Sequence, residues 1–155
     1  MLYIRLGSRS RMFLGEFAHS IDDKGRLTLP AKFRDQLAQG IVITRGLDGC
    51  LFVFTYEDWK RFTARLSERL SFAQKSARDL TRFFFAGATD IIPDKQGRVL
   101  IPPFLREYAN LDSESVIIGA NSRLELWSPE RWQQTMLDVE SHAEEIAEQF
   151  SDITF

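Results

Sequence analysis

The stretch Ser20–Ala38 reads "SIDDKGRLTLPAKFRDQLA". Counting from Arg26 to Arg98, 72 residues further on, the chain reads "IIPDKQGRVLIPPFLREYA" over Ile91–Ala109. Each copy sets an Asp four residues before an Arg, a Gly directly ahead of that Arg, and a Pro four residues beyond it. The echo extends in both directions. "MFLGEFAHSID" matches "FFAGATDIIPD", which sets Phe13 on Phe85 and Gly15 on Gly87, and "LFVFTYEDW" matches "LELWSPERW", which sets Trp59 on Trp132 after one inserted residue. The chain therefore divides into a unit at 12–60, a helical connector at 61–83, a second unit at 84–133 and an acidic helical tail at 134–155. A basic N-terminal extension, 1–11, precedes them. A unit of about fifty residues is too short to bury a good core alone, so the two copies must pack on each other as a pseudo-dimer.

Within each copy the phrase predicts a β-hairpin. In "DDKG" and "DKQG" the leading Asp suits the first position of a type I turn, where its carboxylate accepts from backbone N–H groups. The Gly supplies the left-handed residue that closes a three-residue loop with a bulge. Strands flank the turn: "FLGEFAHSI" before it and "RLTLP" after. Arg26 and Arg98 then fall at the tips, pointing away from the core. The proline opens a short helix, with Phe33 and Leu37, or Leu105 and Ala109, on its core side. Two further strands follow in each unit, so the order is β-β-α-β-β and then a helix. Unlike "RLTLP", the strand "RVLIP" does not alternate, because Leu100 stands where the first copy has Thr28. A strand apolar on both faces predicts a covered second face, against the sister unit or a neighbouring subunit.

Thr55 and Asp58 predict a capped helix start ahead of Trp59, Phe62, Leu66 and Leu70, with a break near Ser71 and a second amphipathic helix through "AQKSARDLTRFF". "SPER" starts the tail helix, with Ser as cap and Pro at its first position. Trp132, Met136, Val139, Ala143, Ile146 and Phe150 then form a heptad seam, which packs either on the chain's own core or on another chain.

Composition excludes several classes. With 44% apolar and 27% charged residues the chain is too apolar for disorder, and no apolar run approaches the roughly 20 residues of a membrane span. A single cysteine, Cys50, cannot form an intrachain disulfide. With only His19 and His142 beside it there is no zinc spacing, so it reads as a small half-buried strand residue. Residues 1–82 hold 15 Lys/Arg against 9 Asp/Glu, whereas 83–155 hold 5 against 13. That asymmetry predicts a basic functional face and an acidic one.

An enzyme finds little support. No Ser or Cys nucleophile has a matching His and acid motif, and no glycine-rich phosphate loop is present. Asp22, Asp23 and Asp94 resemble paired acid/base carboxylates only superficially, since each occupies a turn position that favours Asp for local hydrogen bonding. Double-stranded DNA fits better: a β-ribbon can enter the major groove, and Arg bonding guanine is the commonest specific contact. Two tips, each with an outward Arg and a Lys (Lys24, Lys95), would make a paired reading head.

The two Asp-x-x-x-Arg motifs, Asp22 to Arg26 and Asp94 to Arg98, each followed by a proline-opened helix, together with the late "LELW", resemble the MraZ family of bacterial transcriptional regulators. The resemblance covers nearly the whole chain from Met12 onward. It implies an α+β fold, a tandem pseudo-two-fold pair of swapped-hairpin AbrB-like β-barrel units with flanking helices. It also implies no enzymatic activity and no cofactor or metal. Arg26 and Arg98, with Lys24 and Lys95, would contact DNA, while Asp22, Asp94, Gly25 and Gly97 brace the motif. The implied assembly is a ring-shaped homo-oligomer, cytoplasmic and nucleoid-associated, away from membranes. Its target would be short G-containing direct repeats upstream of the division and cell-wall gene cluster. Arg98 is expected to matter less than Arg26, because its half of the chain is acidic. The competing function is a structural or partner-binding ring whose hairpins contact a protein. An antitoxin-like regulator of the same fold would instead carry one unit and a disordered tail.

Overall fold

A computed structural model of the chain describes residues 12–155; the basic extension 1–11 lies outside the described residues. Unit 1 contributes β1 (Phe13–Ser20), β2 (Arg26–Thr28), a 3-10 turn (Ala31–Phe33) running into α1 (Arg34–Leu37), β3 (Ile41–Arg45), β4 (Leu51–Thr55) and α2 (Tyr56–Arg69). After the connector helix α3 (Lys75–Ala86), unit 2 repeats the order as β5 (Thr89–Ile91), β6 (Arg98–Leu100), α4 (Pro103–Tyr108), β7 (Glu114–Asn121), β8 (Leu124–Trp127) and α5 (Pro129–Glu148). The caps form as the sequence predicts: Asp58 N–H donates to Thr55 Oγ1 at 3.1 Å and Arg131 N–H to Ser128 Oγ at 3.2 Å.

The strands answer how two undersized units share a core. Six of them form one antiparallel sheet in the order β1-β7-β8-β4-β3-β5, and β2 pairs with β6 in a separate ribbon. The order is symmetric about the β8–β4 boundary, so the first strand of each unit pairs with the third strand of the other: β1 with β7, and β5 with β3. The predicted hairpin of β1 with β2 needs correcting accordingly. Only the bridge between Ile21 and Leu27 joins these segments, while all eight residues of β1 pair with β7. The physical reason is burial. A closed hairpin leaves each unit with half a core, whereas exchanged strands place Phe13, Leu27, Phe33 and Ile43 of unit 1 against Val99, Leu105, Ile117 and Leu126 of unit 2 in a single cluster. Each such side chain contributes about 1.5–3 kcal/mol on full burial.

The other face of the sheet is closed by helices. Phe52, Phe54, Phe84 and Trp127 form a second cluster with Trp59, Phe62 and Trp132 packed against it. Central strands β3, β4 and β8 are thus buried on both sides, which explains their unbroken apolar runs. Cys50 lies fully buried in the turn just ahead of β4, neither half-buried nor in a strand as expected, with Sγ 3.2 Å from Leu47 O. Burial pushes its thiol far above the ordinary value. Glu125, also buried, accepts from Arg123 Nη2 at 2.7 Å and from Trp127 Nε1 at 3.1 Å.

Two apolar surfaces depart from expectation. Leu100 is 53% exposed, so the sister unit covers only the Val99 side of "RVLI". No residue of α5 is buried, so its seam does not pack on the chain's own core beyond the first turn, where Trp132 meets Trp127 at 5.4 Å. Among the described residues, no helix is long and apolar enough to cross a membrane, and no group of three or more His, Cys, Asp or Glu could hold a metal.

Candidate nucleic-acid interface

Each repeated turn is built by its aspartate. In the first, Asp22 Oδ1 accepts from Lys24 N–H at 3.0 Å and Arg26 N–H at 2.8 Å, while Oδ2 accepts from Arg26 Nε at 2.7 Å. The second repeats it: Asp94 Oδ1 accepts from Gln96 N–H and Arg98 N–H, both at 2.9 Å, and Oδ2 from Arg98 Nε at 2.8 Å. One carboxylate therefore closes the loop and orients the arginine, and among the described residues it engages only Nε. The terminal guanidinium nitrogens make no hydrogen bond among the described residues and keep their donors for a ligand. Gly25 and Gly97 take φ of +84° and +76°, the left-handed position the bulged loop requires.

Backbone N–H donation from the arginine, followed by other local donors, holds both carboxyls below their ordinary value of 3.8. A carboxylate depressed in the folded state contributes stability that is fully present above its unfolded pKa and is lost as pH falls through the lower folded one. The brace should therefore persist unchanged from about pH 8 down to about pH 5. Following the Arg26 and Arg98 Nε–H resonances through an acid titration checks this: both should shift with midpoints below pH 3.8. A transition nearer neutrality would contradict it.

The strand exchange brings the two motifs together. In the ribbon Arg26 stands opposite Leu100 and Thr28 opposite Arg98, with Leu27 and Val99 paired between them. Leu27 and Val99 point inward and are buried, so Arg26, Thr28, Arg98 and Leu100 share the outer face. The arginines are diagonal neighbours on that face, about 7–8 Å apart at the backbone. The pattern predicted two separate tips; the structure instead has one short ribbon with a turn at each end. Arg98, for all the acidity of its half of the chain, stands opposite Thr28 of unit 1 on the same ribbon as Arg26. Lys24 and Lys95 mark one turn each at inequivalent places: Lys24 aligns with Gln96, and Lys95 with the exposed Asp23.

Two residues escaped the sequence reading. Arg34 and Arg106, also 72 apart, each sit over the turn of the other unit. Arg106 donates from Nε to Ile101 O at 3.1 Å and lies against Gly25; Arg34 donates to Leu29 O at 3.1 Å and lies against Gly97. A Cβ on Gly25 or Gly97 would come within 2.7 Å of these guanidiniums. Gly25→Ala and Gly97→Ala should each cost about 1–2 kcal/mol through the left-handed backbone alone. Displacement of the arginine comes in addition, and urea denaturation would measure the total. The available signal was an arginine at the same helical position of both copies.

The fold and this face define a class: a protein of two interlocked repeats that presents paired, carboxylate-braced arginines on a two-stranded ribbon. A family model described as "MraZ protein, putative antitoxin-like" matches the chain twice, over residues 12–83 and 84–152. Proteins named Transcriptional regulator MraZ are similar along nearly their whole length. The one from Heliobacterium modesticaldum is 49% identical over 141 residues, 91% of this chain and 98% of that protein. Its counterpart from Moorella thermoacetica is 47% identical over 141 residues, with the same coverage of 91% and 98%. The one from Desulforamulus reducens is 46% identical over 142 residues, 92% of this chain and 99% of its own length. The chain belongs to the MraZ family.

Proposed function

We propose that this chain is a sequence-specific DNA-binding transcriptional regulator whose β2–β6 ribbon enters the major groove. The observation that carries the reading is the convergence of Arg26 and Arg98 on one outer face, each pre-oriented by its own aspartate. Their diagonal separation of about 7 Å spans about two base-pair steps at 3.4 Å each. A two-stranded ribbon fits a groove about 12 Å wide, and an arginine bonds guanine O6 and N7 with paired donors. Lys24, Lys95, Arg34 and Arg106 surround these two as phosphate contacts, which position the ribbon without reading sequence. Asp22, Asp94, Gly25 and Gly97 hold the geometry. The exchange of β1 and β5 between units 12–60 and 84–133 supports a tandem swapped-hairpin barrel, with 61–83 as connector and 134–155 as tail. A tail that is helical, on a chain with two units, favours a regulator of this kind over a single-unit antitoxin.

The name carried by its relatives, transcriptional regulator, supports the same role, in the cytoplasm at the nucleoid. The proposed target is a set of short G-containing direct repeats in the promoter of the division and cell-wall gene cluster. The proposed active form is a ring of identical subunits, whose rotation presents every ribbon in the same orientation and therefore favours direct repeats over palindromes. Net acidity makes avidity from repeated ribbons necessary.

A gel-shift titration against the DNA upstream of the chain's own gene, at two salt concentrations, tests this. A discrete complex should weaken steeply with salt and vanish when the guanines are replaced. Salt-insensitive binding to a protein, with no DNA shift, would instead favour a partner-binding ring. Spacing gives a further prediction. Repeats about 10–10.5 bp apart face the same side of B-DNA. Inserting about 5 bp should abolish the avidity gain, while inserting about 10 bp should be milder. Equal footprints on all spacings would exclude simultaneous engagement by neighbouring subunits.

A further inference from the structure

The ribbon that pairs β2 with β6 is nearly its own image. Exchanging the two units carries Arg26 onto Arg98 and Leu27 onto Val99, about an axis that passes through the Leu27–Val99 pair. The outer face breaks that symmetry at one pair of positions, where Thr28 falls on Leu100. Thr28 is half-buried, as both arginines are, whereas Leu100 is 53% exposed. A lone exposed leucine signifies little in general. This one lies inside the face that the arginines define, directly opposite Arg26, where cross-strand Cβ atoms stand about 4.5–5.5 Å apart.

The aspartates decide how close that face comes to a ligand. Each holds both the backbone N–H and the Nε of its arginine, so the guanidinium cannot extend straight away from its strand. Each arginine side chain is accordingly only 34% exposed. An arginine held that low meets a base edge only when the ribbon itself descends to the groove floor, and the shorter side chains beside it then reach the bases too. The apolar group that base pairs display in the major groove is the C5-methyl of thymine. Threonine selects less, because its hydroxyl serves donors and acceptors alike. We propose that Leu100 packs on the C5-methyl of a thymine next to the guanine that Arg26 bonds, while Thr28 leaves the matching position beside Arg98 unselective. The inference rests on the ribbon entering the major groove, as proposed above, and adds a direction to that reading. Two arginines related by a two-fold axis read a site equally well in either orientation. Phosphate contacts at the turns carry no sequence. Leu100 therefore makes each repeat read one way, as direct repeats require.

Selection from a random-sequence duplex library with the purified full-length chain tests this, followed by fluorescence anisotropy on the enriched duplex. Each thymine is then replaced in turn by deoxyuridine, which removes only the C5-methyl. The wild-type motif should be non-palindromic. Replacing one thymine beside a guanine should weaken binding about fourfold for each engaged ribbon, the worth of one buried methyl. Leu100→Ser should weaken binding to the thymine duplex and make that same replacement silent, the non-additivity of a direct contact. Its side chain is mostly exposed, so circular dichroism and the melting curve should match wild type. Thr28→Leu should restore the symmetry and enrich a palindromic motif with a sensitive thymine at both ends. A wild-type motif without a methyl-sensitive thymine would overturn the inference alone, as would a Leu100→Ser variant as sensitive to deoxyuridine as wild type. Failure of the wild type to enrich any motif would overturn the DNA-binding reading together with it.

Discussion

Replacing Arg26 with alanine is expected to remove specific DNA binding while leaving the fold and the assembly in place, and Arg98→Ala is expected to do the same to a comparable degree. Loss of one bidentate guanine contact costs about 1–3 kcal/mol, roughly 5- to 150-fold in affinity. A ring that engages two or more repeats loses that contact in every engaged subunit, so the factors compound. The fold should tolerate the change, because each arginine makes one solvent-exposed ion pair and a pair of that kind contributes about 0–1 kcal/mol. Equality of the two effects is the structural part of the prediction. Arg26 and Arg98 lie on the same outer face of one ribbon, related by the symmetric pairing of β2 with β6. Titrating both variants by fluorescence anisotropy against the same operator DNA decides it. Wild-type affinity in either variant would mean that the ribbon is not the reading element, and a large effect at one position alone would mean that the two turns meet the DNA differently. Arg34→Ala, at one of the proposed phosphate contacts, should instead weaken binding to all sequences alike and reduce the salt slope by about one.

What could be read in the sequence follows from the range of the interactions involved. The turn was legible because Asp22, Gly25 and Arg26 act on each other within four residues, and their types are dictated by local hydrogen bonds and by the left-handed backbone. Helix starts at Thr55 and Ser128 were legible for the same reason. The partner of β1 was not, because an alternating pattern records which face a strand buries and says nothing about which strand lies beside it. Given a turn and two flanking strands, the nearest partner is the obvious choice, and it fails here because neither fifty-residue unit can bury its core without the other. The same long-range exchange carries Arg34 across to Gly97 and Arg106 to Gly25, contacts invisible at sequence distances of more than sixty residues. Leu100 and the α5 seam were both marked by pattern as surfaces needing cover. The pattern could not say that neither surface is buried within the described chain.

The exchange itself can be broken at one residue. Gly119 of β7 stands opposite Gly15 of β1, and the two backbones approach so closely there that a Cβ on Gly119 would overlap the main-chain atoms of Phe13 and Leu14. A flexible side chain can swing aside, but a backbone held in a ladder of eight residue pairs cannot. Gly119→Ala must therefore push β1 away from β7 at the middle of its pairing, straining the ladder that ties unit 1 to unit 2 and lifting Phe13 from the shared core. Overpacking of this kind costs about 1–3 kcal/mol where neighbours can adjust, and more where they are main chain. We expect about 3 kcal/mol or more, which for a chain of this size lowers the melting temperature by roughly 6–12 °C. Gly15→Ala meets a different obstacle, a φ of +103° and the Phe17 ring at 3.1 Å, and the ring can rotate. It should cost less, about 1–2 kcal/mol from the backbone. Calorimetric melting of the two variants beside wild type checks the order. If Gly119→Ala melts within a degree or two of wild type, β1 has another way to join the fold, and the close strand approach is not what holds the two units together.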